Sequence, residues 1–449
     1  MSQRPLVLIH GYSDRGASFG RWIQELEARE YDIRLVRLAN YQSLTNEITI
    51  KDLSEALDRA LRTTAGLSQD EPFDAIVHST GSLVIRSWLT TYEGRRKRLR
   101  NLIALAPANF GSPMAHKGRS WLGAMFKGSK ELGPDFMEAG DRILSGLELG
   151  SRFTWDLAHT DLLGEEMYYG PSRRTPYVFV FCGSKDYGWL KRAVTEPGTD
   201  GTVRWAGCAL AVRKITLDLA QDPQRPDEEP RIIIEPWKNA DMPLVLVDKV
   251  NHGTILSKPT VALVEMVDAA LKVSSATSFE AWRAKYASVP SKTDITHWQQ
   301  FVVRAVDERN DPIDDYYLRL YTKGKNHTEQ EIDGFAQDVH VFRDDLSFRC
   351  LHVNLKELAP EGLPNLYLKV VASSGSALVR YSGLSGRPSN STVEGEGAPW
   401  CAEINLSSML RNTEVNFFYP FTTTLVQIRL NREPLPNLLS LSEYSPMGS

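Results

Sequence analysis

The chain has 449 residues, 42% of them hydrophobic, enough for more than one core, and no apolar run approaches the roughly 20 residues that cross a bilayer. A net charge of -4 at pH 7 argues against nucleic acid as a main partner. Cys182, Cys208, Cys350 and Cys401 stand without metal-ligand spacing, which argues against a disulfide scaffold and a zinc site.

Pro5-Leu6-Val7-Leu8-Ile9 reads as a strand running into His10-Gly11-Tyr12-Ser13. Because this strand begins by Pro5, no signal peptide is expected and synthesis into the cytoplasm follows; signal-independent export stays open. Phe19, Trp22, Ile23 and Leu26 recur at helical spacing, residues 33–38 read as a strand, and Leu53, Ala56, Leu57, Ala60 and Leu61 mark a second helix. Residues 73–77 form a short buried strand, and residues 83–89 carry apolar side chains around most of a helix. This alternation predicts a parallel, doubly wound sheet. The basic run Arg95-Arg96-Lys97-Arg98 precedes the next strand, 101–107, and reads as a solvated face. Further apolar strands are expected at 177–181 and 243–247, and a helix at 261–271.

The turn between the strand at 73 and the helix at 83 carries His78-Ser79-Thr80-Gly81. A strand-turn-helix this tight strains its central residue, lifts the Ser79 hydroxyl above the sheet and aims a helix N-terminus at the same spot. Gly81 supplies one small neighbour, while Val77 stands where a Gly-x-Ser-x-Gly elbow has its first glycine.

The serine elbow, the strand entering His10-Gly11 and the run Asn109-Phe110-Gly111-Ser112-Pro113 resemble the α/β-hydrolase superfamily, in its bacterial lipase and lecithin:cholesterol acyltransferase branch. The resemblance covers roughly the first 275 residues. It implies an α/β-hydrolase fold with Ser79 as nucleophile and backbone N–H groups of Tyr12 and Thr80 as oxyanion donors. It places the base at His252, in Val250-Asn251-His252-Gly253, just past the last strand. Two acids remain open: Asp200, in Gly198-Thr199-Asp200-Gly201-Thr202-Val203, is favoured over Asp186, in Gly183-Ser184-Lys185-Asp186. His78 is expected to pack beside the elbow.

Between 118 and 166 the pattern breaks into large apolar residues such as Trp121, Phe126, Phe136, Phe153 and Trp155. A helical insertion of this kind reads as a cap or lid over an acyl pocket, or else as a helical pair that extends the core. The catalytic domain is thus assigned to 1–275, a linker to 276–295, an all-β sandwich to 296–432 and a tail to 433–449. Strands in the sandwich are expected at 301–306, 316–321, 339–342, 348–353, 366–371 and 417–419.

The expected activity is carboxyl-ester hydrolysis on lipid esters, of lipase or phospholipase type. Acyl transfer through the same triad is one alternative, and a catalytically silent binding protein, suggested by Val77, is the other. No cofactor is expected. Calcium at Asp307, Asp311, Asp314 and Asp315 is the one candidate ion, with a polar turn as the competing explanation. The sandwich is a candidate for peripheral membrane contact or for docking a protein partner.

Overall fold

The computed structural model describes residues 4–10, 19–36, 48–115, 141–170, 174–185, 196–222, 224–225, 231–235, 242–287, 297–335, 339–376, 378–384, 386–388, 399–410 and 415–434. The chain opens β1 (Leu6–Ile9), α1 (Gly20–Glu27), β2 (Ile33–Val36), α2 (Ile50–Thr63), β3 (Phe73–His78), α3 (Gly81–Thr91), β4 (Leu99–Leu105) and β5 (Tyr177–Gly183). The next two strands, β6 (Val212–Asp218) and β7 (Arg231–Ile234), leave the sheet, and β8 (Leu244–Val247) rejoins it. The first sheet has the order β2-β1-β3-β4-β5-β8, with every pairing parallel. Helices cover both faces of such a sheet, which is why β1 and β5 read as unbroken apolar runs rather than alternating ones, while β3 is buried along its whole length although it carries Asp74 and His78. Strand order reverses beside β3, and the crevice at the carboxyl ends of strands around such a switch point is where α/β proteins bind ligands.

A β-sandwich follows. It comprises β9 (Trp298–Asp307), β10 (Asp315–Lys323), β11 (Glu329–Glu331), β12 (Val339–Val341), β13 (Phe348–Asn354), β14 (Tyr367–Ser373), β15 (Val379–Ser382), β16 (Gly386–Pro388), β17 (Trp400–Asn405) and β18 (Thr423–Pro434). One sheet is antiparallel, β11-β10-β14-β17-β16; the other is mixed, β12-β13-β9-β18-β6-β7, with β15 added to β18. β6 and β7 lie within the segment 1–275, yet β6 pairs with β18 in parallel, Val212 opposite Thr423. Phe417 and Phe418, expected in a strand, sit instead in a turn closed by the Asn416 side chain, and they bury their rings against Phe301. The last strand lies further on, where β18 runs for 12 residues.

The mixed sheet is covered on both faces. Trp298 and Val302 of β9, Cys350 of β13 and Leu425 of β18 face the hydrolase core with Val203 and Leu210. Phe301 and Val303 of β9, Leu351 of β13 and Ile428 of β18 face the second sheet through Leu320 and Val370. The period of two along β9 therefore delivers alternate residues to two different cores. Residues 276–286, from the expected linker, form a helix with a capping box at Ser275, and its Phe279 and Trp282 pack on Phe179.

Of the expected lid, residues 118–140 lie outside the described residues. The rest forms helices Asp141–Leu147 and Arg152–Asp161, whose Ile143, Leu147, Trp155 and Ala158 are buried. Trp155 meets Phe348 of the sandwich edge-on, and Asp161 closes a buried network with Arg86 of α3. That pair is bidentate, at 2.8 and 3.0 Å, with both side chains fully buried and Tyr169 donating to the same carboxylate. Asp161→Ala takes the counter-charge from the buried Arg86 guanidinium and leaves it only the Asn109 oxygens, and an expected loss of about 3–5 kcal/mol follows. Urea unfolding measures it, and the double variant Arg86→Met/Asp161→Leu is expected to recover most of the loss.

The basic run at 95–98 is not the solvated face expected from its composition. Arg95 and Arg98 are buried. Arg95 grips Glu55 at 2.9 and 3.0 Å and lies over the Tyr92 ring, and Arg98 lies over Phe73 while donating to the Ser68 carbonyl. Flat guanidinium groups can cover aromatic rims in this way, which a charge count does not see.

Candidate active site

β3 ends at His78 and α3 begins at Gly81, so only Ser79 and Thr80 make the turn. Ser79 adopts φ 54°, a left-handed conformation that an L residue holds only when its surroundings impose it. Its N–H donates to Leu105 O at 3.1 Å, and its carbonyl accepts from Ser82 N and Ala108 N. Gly81 is required: a Cβ there would lie 3.0 Å from Ile9 O and 3.2 Å from His10 O. Val77, in the place of the elbow's first glycine, is accommodated in the core, where its register neighbours are Ile9 and the small Ala104.

The loop after β8 delivers His252. Asn251 and Thr254 hold each other reciprocally, Asn251 N–H to Thr254 Oγ1 at 2.8 Å and Thr254 N–H to Asn251 Oδ1 at 2.9 Å. His252 then points Nε2 at Ser79 Oγ, 3.1 Å away, and Nδ1 at Asp200 Oδ2, 3.0 Å away. A carboxylate facing Nδ1 accepts a hydrogen bond from its N–H, which fixes the tautomer and leaves the Nε2 lone pair for the serine hydroxyl.

Asp200 is fully buried and is held from three sides. Its Oδ1 accepts from Thr202 N at 3.0 Å and Val203 N at 2.9 Å, and its main-chain carbonyl accepts from His252 N at 3.0 Å. Cys182 Sγ, at the end of β5, lies 3.6 Å from Oδ2, and Cys208 Sγ lies 3.3 Å from Cys182 Sγ. Burial pushes both thiols above their ordinary range, so both stay protonated. Cysteines scattered in sequence thus meet beneath the acid, a proximity that only the closed sheet creates.

His78 does more than pack beside the elbow. Its Nε2 lies 3.0 Å from the His252 carbonyl, so the N–H donates there, and its ring sits 4.9 Å from the His252 ring. Burial, then the neighbouring His252, lowers its pKa to about 3. The unfolded chain therefore takes up a proton at His78 below about pH 6.5 that the folded chain refuses until about 3. More protons on the unfolded state means stability rises with pH across that window, by on the order of 1.4 kcal/mol per pH unit from this group. Melting temperatures of the wild type and His78→Gln between pH 4 and 7 measure the difference, and the variant is expected to lose this part of the slope.

Thr80 caps α3, and its N–H has no hydrogen-bond partner among the described residues. Tyr12 and Asp186 lie outside the described residues. Asp307 serves a turn: its Oδ1 accepts from Arg309 N and Asp311 N, both at 2.9 Å, while Asp311, Asp314 and Asp315 are exposed. Among the described residues no three His, Cys, Asp or Glu side chains converge as a metal site.

A six-stranded parallel sheet with a strained serine between its third strand and the following helix defines the α/β-hydrolase fold, here joined to a β-sandwich. Among solved structures, phospholipase PlaB from Legionella pneumophila shares it with a TM-score of 0.76, covering 100% of this chain and 99% of that one at 22% identity. The same phospholipase in complex with thio-NAD matches with a TM-score of 0.74, over 99% of this chain and 98% of that one, also at 22% identity. The likeness spans both the hydrolase sheet and the sandwich. No protein-family model matches the chain, and no curated protein matches it in sequence.

Proposed function

We propose that the chain is a serine carboxyl-ester hydrolase acting on lipid esters. The observation that carries this reading is the relay from Ser79 Oγ to His252 Nε2 at 3.1 Å and from His252 Nδ1 to the buried Asp200 at 3.0 Å. In the proposed reaction His252 takes the Ser79 proton as the oxygen attacks the ester carbonyl. The Thr80 N–H, with that of Tyr12, receives the developing oxyanion at the positive end of α3. His252 gives the proton to the leaving alcohol, which leaves the acyl group on Ser79. His252 then takes a proton from a water that attacks this acyl ester, the Ser79–acyl bond breaks with the proton returned to Ser79 Oγ as the acid departs, and Asp200 stabilises the imidazolium throughout.

The strained φ of Ser79 weighs against a silent site, because a binding surface has no use for a costly backbone conformation at a hydroxyl. Val77 sits in the core without displacing the elbow, which removes the argument that made silence attractive. Lipid esters are favoured over small soluble ones by the full-length likeness to a phospholipase. The test is mass spectrometry of a total membrane lipid extract incubated with the wild type or Ser79→Ala, with and without calcium. Lysophospholipids or free fatty acids released by the wild type alone are the expected result. An unchanged lipid profile, with hydrolysis of short-chain soluble esters retained, would overturn the lipid assignment.

A further inference from the structure

The segment that carries Asp200 is built onto the sandwich at both of its ends. Before the acid, Gly198 adopts φ 72° and presses its Cα against the Trp298 indole; a Cβ there would fall 2.5 Å from the ring. Trp298 opens β9, is buried, and stacks on His352 of β13 with ring centroids 4.3 Å apart. After the acid, the buried Arg204 reaches Cys350 Sγ of β13 at 3.3 Å. The short helix Trp205–Cys208 that follows gives its Ala206 carbonyl to Thr423 Oγ1 of β18 at 3.1 Å, and the Ala211 carbonyl accepts from Thr423 N at 3.1 Å. Between these anchors the loop closes on itself through Asp200 N to Val203 O and Trp205 N to Gly198 O. Neither neighbour of Gly198 can shift: the indole is fixed by its stack, and Trp205 Nε1 is tied to Gly183 O at 2.9 Å.

We propose that the mixed sheet of the sandwich is the positioning surface for the catalytic acid, with Trp298 as the residue that sets the height of the Asp200 loop. The inference rests on the proposed triad. It gives the C-terminal domain a role in the chemistry that needs neither membrane contact nor a partner. The hydrolase sheet supplies Ser79 and His252, and the sandwich sheet completes the site by holding the third member in place. Trp298 touches no reacting atom; it acts through Asp200, and through Asp200 on the orientation of His252.

Displacement of a catalytic group by about 1 Å costs roughly 100-fold in rate, because orientation and not identity is lost. Trp298→Ala in the full chain is therefore expected to lower kcat on a soluble p-nitrophenyl ester about 100-fold with KM nearly unchanged. A carboxylate further from Nδ1 stabilises the imidazolium less, so the acid limb of kcat/KM is expected to move to lower pH by about one unit. Trp298→Phe keeps a flat apolar platform and is expected to recover most of the rate. Thr423→Val, which removes the hydroxyl that donates to Ala206 O and accepts from Gln300 Nε2 at 3.5 Å while nearly keeping the side chain's shape, gives a milder loss in the same direction and serves should Trp298→Ala not fold.

The deciding arm is the Asp200→Asn background, read by the rate of fluorophosphonate labelling. There Trp298→Ala is expected to add little, because both substitutions break the same link. A Trp298→Ala or Thr423→Val enzyme with unchanged kcat and pH profile overturns the inference, and so does a Trp298→Ala loss that persists in full without the Asp200 carboxylate. If instead the wild type hydrolyses the ester at a rate indifferent to Asp200→Asn, the proposed triad itself falls, and this inference with it.

Discussion

Ser79→Ala is expected to abolish ester hydrolysis, with a loss in kcat of about 10⁶-fold, and to eliminate covalent labelling by a fluorophosphonate. The size of the effect follows from the way the three side chains act as a unit: without the oxygen, the His252 base has nothing to activate, and only binding and the oxyanion donors remain. The same substitution is expected to leave the fold intact. Ser79 Oγ bonds only to His252 among the described residues, and the side chain that replaces it is smaller. The left-handed φ is as costly for alanine as for serine, so no strain is released by this change. Glycine at the same position does release it. Ser79→Gly is therefore expected to be equally inactive yet to melt at a temperature equal to or above that of the wild type, which separates the chemical role of the residue from its backbone role. Hydrolysis that survives in Ser79→Ala would remove the nucleophile assignment.

Much of the hydrolase sheet was legible because parallel strands buried on both faces need no alternation; runs such as Val178-Phe179-Val180-Phe181 announce themselves by apolar density between turn residues. Ser79 was legible for a related reason. A strand and a helix separated by two residues leave one geometry for the turn, and the residue at its apex must take the left-handed backbone that aims its hydroxyl into the site. The sandwich was harder to read, because its membership is settled far along the chain. Nothing local in Val212 to Asp218 says that its partner is Thr423 to Arg429 rather than a neighbour in the first sheet. β18 itself was hidden by the aromatic run Phe417-Phe418-Tyr419, which has strong strand propensity but spends its two phenylalanine rings on the sandwich core from a turn. Arg95 and Arg98 were hidden by their charge, since burial of a guanidinium depends on carboxylates, carbonyls and aromatic faces that come from other elements. The same dependence on closure explains why His78 and Cys182 carried no signal beyond position: each meets the site residues only when β3, β5 and the loop after β8 come together.

Between Asp200 and Asp186 the sequence alone leaves the choice open, since both follow β5, and the substitution that tests the preference is Asp200→Asn. An aspartate whose only role was to fill space would tolerate the amide. Here the amide is expected to cost about 10⁴-fold in kcat, because the loop dictates which way it must face. Oδ1 receives the N–H groups of Thr202 and Val203, at 3.0 and 2.9 Å, so the amide oxygen of Asn is locked to that side. The NH₂ group is then turned toward His252 Nδ1, a donor where an acceptor stood. To accept it, the imidazole must give up its Nδ1 proton and carry one on Nε2 instead, so that the nitrogen 3.1 Å from Ser79 Oγ has no lone pair to offer. The fold is expected to persist, since the loop's own amides keep their acceptor, and a melting temperature near that of the wild type would separate lost chemistry from lost structure. The small residual activity is expected to rise with pH as hydroxide takes over from the disabled base. Asp186→Asn is the matched control, expected to retain activity within a few-fold; an enzyme that instead tolerates Asp200→Asn and fails with Asp186→Asn would transfer the acid to the other loop.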